Sequence, residues 1–280
     1  MKISAYLPVY NEENRIRYTL QSLQWCDEIV VIDKSSTDKT VDICKGFGAT
    51  VFIMNNSNSF DISEYNYLKK CTGDWILLAT ASDIIDKSLA MEIRKQIETL
   101  PEDIGCIEVP FMNYVLGIED ERSPWHVNTR MKIFRNGNQV INNDVHGALT
   151  LINTKSYTIP NKFGYFSHLT HVSLDMMLDR HTRYWRGEAD MYDKKTLLPA
   201  LQYVWRSVKY TMRVRKTFLL GWNGIAIMFA YVSYYMFSYL YIWEHRRKIT
   251  AAQIYQELRD KNSKDWKNYP SNIEQSQSGE

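Results

Sequence analysis

The sequence has 280 residues, 45% of them hydrophobic, which is enough for one large domain or one domain with an appendage. Its 34 Lys and Arg nearly balance its 32 Asp and Glu, which argues against a general nucleic-acid binder. Cys26, Cys44, Cys71 and Cys106 form no CxxC pair, so a disulfide framework or structural zinc site is not expected and a reducing cytoplasm fits.

The N-terminal MKISAYLPVYNEE has no secretory h-region and opens directly on folded-domain sequence. ISAYLPV (3–9) predicts a strand, and Glu12 to Trp25 predicts a helix with Ile16, Leu20 and Leu23 on one face. EIVVID (28–33) is nearly all apolar, as a strand covered on both faces is. SSTDKTVDICKGFG (35–48) predicts a second helix, capped by Ser36 or Thr37 and stopped by Gly48. ATVFIM (49–54) and DWILLAT (74–80) supply a third and fourth strand. Strands and helices alternating at this spacing predict a parallel α/β sheet with right-handed crossovers. Such sheets bind ligands beyond the carboxyl ends of their strands, where Pro8 to Glu13, Asp33 to Ser36 and Thr80 to Asp83 would gather.

After Pro101 the pattern loosens. CIEVP (106–110), MKIF (131–134) and GALTLI (147–152) are short strand candidates, and a helix is expected from Ser173 to Lys194. Segment 203–247 reads as basic YVWRSVKYTMRVRK, then uncharged TFLLGWNGIAIMFAYVSYYMFSYLYIW, then EHRRK. The last residues are polar and aperiodic, as a flexible tail is. The expected organisation is an α/β domain over 1–172, a helical membrane-associating region over 173–260 and a tail over 261–280.

The first strand is followed by PVYNEE, with no glycine, which excludes a GxGxxG dinucleotide turn. No P-loop occurs either. The turn offers the Tyr10 ring, suited to stacking on a base, and the acids Glu12 and Glu13, while Asp33 ends the second strand where a carboxylate can accept from a base or ribose.

LPVYNEE, DEIVVIDKSSTDKTVDI and TGDWILLATASD together resemble a family 2 glycosyltransferase of GT-A fold, over roughly residues 3 to 95. Weaker similarity runs to about 245, towards small bacterial transferases that decorate lipopolysaccharide and other envelope glycans. NNDVHGAL (142–149) and FSHLTH (166–171) stand at that branch's VHE and HYS-like motifs. The resemblance implies a GT-A-like, mostly parallel α/β sheet flanked by helices, with a C-terminal helical extension. It implies that Pro8, Val9, Tyr10 and Glu12 line the nucleotide pocket, with Tyr10 against the base, and that Asp33 is the acid of the second strand. Lys34 stands where many members carry a second acid. The family's usual inverting displacement makes Asp144 the first candidate base and His146 the second, with Gly147 replacing an expected glutamate. His168 matches a C-terminal histidine that often completes the metal site.

Aligned on GDW, the family's Asp-x-Asp falls on Thr80, Ala81 and Ser82, and Asp83 takes the next position. Three readings stay open. Asp83, with the Ser82 hydroxyl and His168, holds Mn²⁺ or Mg²⁺ in a reduced site. In the second, the enzyme is metal-independent, and Arg130 or a helix N-terminus takes the diphosphate charge. In the third, Asp83 only caps the following helix and the domain binds without catalysing.

Thr217 to Trp243 is long enough to span a bilayer and is flanked by Arg213, Arg215 and Lys216 before and Arg246, Arg247 and Lys248 after. Asn223, two glycines and repeated tyrosines suit the headgroup region better than the hydrocarbon core, with Arg206 and Lys209 extending the basic face. A spanning helix, or a surface packed within the protein or a homo-oligomer, is the alternative. The expected activity is inverting hexosyl transfer from a nucleotide sugar, a UDP-sugar first, to an envelope glycan or lipid-linked acceptor. It would take place on the inner face of the cell membrane, without nucleic acid. The alternative is an impaired relative that binds nucleotide or glycan as a scaffold.

Overall fold

The computed structural model describes residues 1–54, 62–141, 149–152, 154–191 and 197–267. The chain opens as β1 (Ile3–Val9), α1 (Ile16–Ser22), β2 (Glu28–Asp33), α2 (Thr40–Gly46), β3 (Thr50–Ile53), a 3₁₀ segment (Ile62–Lys70) and β4 (Trp75–Leu78). It continues through β5 (Asp83–Ile85), α3 (Lys87–Thr99), β6 (Ile104–Val115), β7 (Thr129–Arg135), β8 (Gln139–Ile141), β9 (Leu149–Leu151), β10 (Lys155–Thr158) and β11 (Phe166–Thr170). Helices α4 (Leu174–Met191), α5 (Leu197–Lys209), α6 (Gly221–His245) and α7 (Ala251–Lys267) complete it.

The main sheet runs β3-β2-β1-β4-β7-β6-β11-β5, with β10 added beside β6. Strands β1 to β4 are parallel, whereas β7 enters antiparallel to both β4 and β6. The expected GT-A-like α/β sheet is present, and its antiparallel part lies after Pro101, where the sequence pattern loosened.

β1 shows why its strands read as continuous apolar runs. Ile3, Ala5 and Leu7 pack with Leu20 of α1 and Ile93 of α3, while Tyr6 turns to the opposite face with Ile32, Leu68 and Ile76. Successive side chains alternate between two covered faces, so both sets must be apolar. Burying each large side chain contributes about 1.5–3 kcal/mol. Gly73, in the TGD stretch, has its own reason: a Cβ there would lie 2.6 Å from Ser4 Oγ and 2.7 Å from Ser4 N. Its N–H donates to Ser4 Oγ at 2.8 Å, so the chain crosses tightly under β1 before entering β4.

Several boundaries differ from expectation. α1 starts at Ile16 because Glu12 to Arg15 form a turn, the carbonyl of Glu12 accepting from Arg15 N and Ile16 N. α2 starts at Thr40, not near Ser36 or Thr37, because those residues bind the first loop, and Lys39 stands at the cap position. α7 continues to Lys267, into the expected tail; residues 268–280 lie outside the described ones.

The helical end is less buried. Thr217–His245 is long and apolar enough to cross a membrane, its most apolar 18-residue window having a mean hydropathy of 1.5, yet only 17% of that window is buried. It packs on α4, where Trp185 Nε1 donates to the Tyr234 carbonyl at 3.0 Å, and on α5, where Tyr203 stacks on Tyr235.

Candidate active site

The carboxyl ends of β1 and β2 meet through a web that accounts for much of the signature. Asn11 N donates to Ser36 Oγ (2.8 Å), Thr37 N to Asn11 Oδ1 (2.8 Å), Glu12 N to Thr40 Oγ1 (2.7 Å) and Lys39 N to Glu13 Oε2 (2.9 Å). Asn11 and Ser35 hold left-handed backbone, with φ of 52° and 61°. Asn11, Glu13, Ser36 and Thr40 of NEE and SSTDKT therefore lock two loops together. Tyr10 is left on the open side.

That side is a cleft of about 1090 Å³ walled by Pro8 and Val9 of β1, Tyr10 just after it, Ser82 after β4, Arg130 from β7 and His168 from β11. Of the other expected site residues, Glu12 also reaches the cleft, but its carboxylate is held by Arg15 and by Arg180 of α4 at 3.1 Å. Asp33 lies behind the wall at 1% exposure. Its Oδ2 accepts from Ser36 N at 2.9 Å, the turn that Asp followed by KSST invites, while Oδ1 is buried without a partner. Asp144 and His146 lie outside the described residues.

Asp83 is 1% exposed. β5 runs antiparallel to β11 with Asp83 opposite His168, so Oδ1 accepts from His168 Nδ1 at 2.6 Å. Oδ2 accepts from Lys132 Nζ at 3.1 Å and Thr80 N at 2.8 Å. Lys132, itself 8% exposed, lies over the Phe166 and Phe111 rings, 4.5 Å and 5.4 Å from their centroids. Burial works against the Asp83 charge, but Lys132 and His168 outweigh it and hold the carboxyl down at about 2. Burial pulls the Lys132 ammonium below its ordinary value and Asp83 opposes it. The charged pair is the state the geometry favours, because both carboxylate oxygens receive N–H donors. Among the described residues, Asp83 is the hydrogen-bond partner of His168 Nδ1, and none is seen for Nε2.

This arrangement argues against the first of the three readings, Mn²⁺ or Mg²⁺ held by Asp83 and His168. The carboxylate is already neutralised by a buried ammonium, the histidine faces the carboxylate rather than a shared ion, and Thr80 and Ser82 bring no charge. Among the described residues, no group of three or more His, Cys, Asp or Glu side chains is placed to hold a metal ion. The described residues do not fit a divalent cation. Nor is Asp83 the cap of α3; Asp86 holds that position.

Besides the α4 arginines, three contributors were not singled out from the sequence. Lys132 is masked inside MKIF, although a lone cation in an apolar strand candidate is itself a signal for a buried partner. Asn113 donates to the Trp125 carbonyl at 3.1 Å, its Oδ1 is buried without a partner, and both residues line the cleft. His171, at a φ of 54°, also lines the cleft with Nδ1 unpartnered; burial and the neighbouring His181 push its pKa down to about 4.

The family model described as Glycosyl transferase family 2 matches residues 4–157, the segment that builds most of this sheet and part of the cleft. The chain belongs to that family. Among its relatives, an uncharacterized glycosyltransferase of Rickettsia bellii (strain RML369-C) is 25% identical over 253 residues, covering 83% of this chain and 84% of the relative. The SPbeta prophage-derived glycosyltransferase SunS of Bacillus subtilis (strain 168) is 30% identical over 136 residues, covering 46% of this chain and 32% of SunS. Among solved structures, S. aureus TarS 1–349 in complex with UDP-GlcNAc is 17% identical with a TM-score of 0.46, covering 66% of this chain and 65% of that one. The family 2 match ends before β11 and α4, so His168, His171 and the α4 wall are supplied from outside the matched segment.

Proposed function

We propose that this family 2 glycosyltransferase moves a hexose from a nucleoside-diphosphate sugar to a hydroxyl of an envelope glycan or lipid-linked acceptor, with inversion at the anomeric carbon. The single observation that carries the reading is the cleft at the carboxyl ends of the parallel strands, whose β1, β4 and β7 side lies in the family-matched segment. Tyr10, on the cleft wall, offers a ring for the base, and the unpartnered Asn113 Oδ1 of the cleft lining offers an acceptor. In the step, the acceptor oxygen bonds to the anomeric carbon as the bond to the terminal phosphate oxygen breaks, and that oxygen keeps the electron pair. The acceptor proton passes to a base, the role assigned to Asp144 with His146 as second choice.

The helical end supports attachment to the inner face of the cell membrane. Trp222, Trp205 and Phe229 are 85%, 69% and 66% exposed, beside the exposed cations Arg206, Lys209, Arg213 and Lys216. An α6 packed along α4 and α5 fits a helix lying in the headgroups better than one crossing the bilayer.

The test is release of nucleoside diphosphate from UDP-, GDP-, dTDP- and CDP-sugars, with membrane lipid extract as acceptor source and the product anomer read by NMR. Release with an inverted anomer is expected; a retained anomer would overturn the displacement step. Tight nucleotide binding with no release from any donor would favour the scaffold reading, which the Thr80-Ala81-Ser82 replacement supports.

A further inference from the structure

The charge balance of the cleft points away from a metal cofactor and towards arginine. Lys34, Arg130, Arg180, Arg183 and Arg186 line it, against the acids Glu12 and Asp179. Arg180 is committed to Glu12. Arg130, Arg183 and Arg186 form no ion pair among the described residues, although all three are exposed to the cleft side. The three come from two walls. Arg130 projects from β7 with its guanidinium 4.9 Å from the centre of the Phe111 ring, beside His168, whose ring stacks on the same phenylalanine. Arg183 and Arg186 follow Asp179 and Arg180 on α4 at spacings of three and four, which puts them on one helical face.

Resting on the glycosyltransferase reading, we propose that the donor diphosphate is bound and its departure assisted without a divalent cation, by Arg130 from the sheet and Arg183 and Arg186 from α4. A divalent ion would have to displace or repel Lys132 to reach Asp83, and no second carboxylate stands at Thr80 or Ser82 to share it. Guanidinium groups need neither. Their N–H groups match phosphate oxygens in pairs and strengthen as charge collects on the terminal phosphate when the anomeric bond breaks. Lys132 is then a built-in counterion that keeps Asp83 ionised so that Asp83 holds His168, and it takes no diphosphate charge itself.

The experiment is calorimetric binding of UDP, GDP, dTDP and CDP to the full chain in excess EDTA, then in Mn²⁺ or Mg²⁺, with Mn²⁺ uptake followed by EPR. One nucleoside diphosphate is expected to bind in EDTA with a Kd within about two-fold of its value with metal, and its presence is expected to recruit no Mn²⁺. Arg130→Ala and the double change R183A/R186A are each expected to weaken that diphosphate about ten-fold while leaving the parent nucleoside unaffected. These side chains are exposed, so the variants keep the wild-type melting profile. Binding that appears only with a cation, or arginine variants that bind the diphosphate as wild type does, would overturn the proposal and leave the transferase reading standing. No binding of any diphosphate, with or without cation, would remove both.

Discussion

Leu20 of α1 and Phe229 of α6 are both large apolar side chains on helices, yet Leu20 is fully buried and Phe229 is 66% exposed. The contrast runs through the molecule. The sheet half seals its apolar residues on two faces and even seals an ion pair between them. The helical half packs one side of α6 with aromatic rings and leaves tryptophans outward. One half hides its apolar surface; the other leaves a large part of it exposed.

The largest effect expected from breaking this contrast is at the sealed ion pair. Lys132→Ala leaves Asp83 buried without its ammonium and is expected to cost about 3–5 kcal/mol in urea unfolding, with Asp83→Ala similar. Replacing both with apolar residues should cost less than the two single changes summed. An Asp83→Ala variant with an unchanged unfolding midpoint would mean that the pair is not structural. Next, Leu20→Ala is expected to cost about 2–5 kcal/mol, because it opens a cavity between α1 and the sheet.

A third prediction concerns pH. His171 is held near 4 in the fold but titrates near 6.5 when unfolded, so the unfolded chain binds the extra proton first. Stability should therefore fall as pH drops from about 6.5 to about 4, by about 3 kcal/mol at most. His171→Asn, which tolerates the left-handed backbone, should flatten that slope; an identical slope in the variant would sink the assignment. Asp83, depressed to about 2, adds stability that is lost only below about 4. The smallest change in stability belongs to the helical half. Trp222→Ser and Phe229→Ser should alter unfolding by less than about 0.5 kcal/mol. The same variants should lower co-sedimentation with anionic vesicles, and unaltered sedimentation would argue for a protein partner on that face.

The sheet was readable in the sequence wherever burial was two-sided. ISAYLPV, EIVVID and DWILL are apolar because both faces are covered, and their placement in the structure follows the pattern. The signature loops were readable as a family mark but not as roles. Only the fold shows that Asn11, Ser36 and Thr40 tie loops together while Tyr10 faces the cleft, since these contacts join residues more than twenty positions apart. Asp83 was noticed for its position, but its partners were not foreseeable. Lys132 and His168 reach it through strand pairings that no local pattern encodes. The α4 arginines were missed for the same reason: a helix face becomes a wall only when something stands opposite it.

The link between the halves is a short stretch of loop. Arg215 donates to the carbonyls of Glu121 and His126 at 2.9 Å and 2.8 Å, and Thr217 Oγ1 donates to that of Arg122 at 2.8 Å. Trp125, which lines the cleft, sets its ring edge-on to Tyr231 of α6 at 5.2 Å. The cleft's rim and the exposed helix thus share one rigid mount. Under the membrane attachment proposed above, this mount would act as a gauge: it would set the height at which the cleft opens, and acceptor hydroxyls would be sorted by distance from the bilayer as well as by shape.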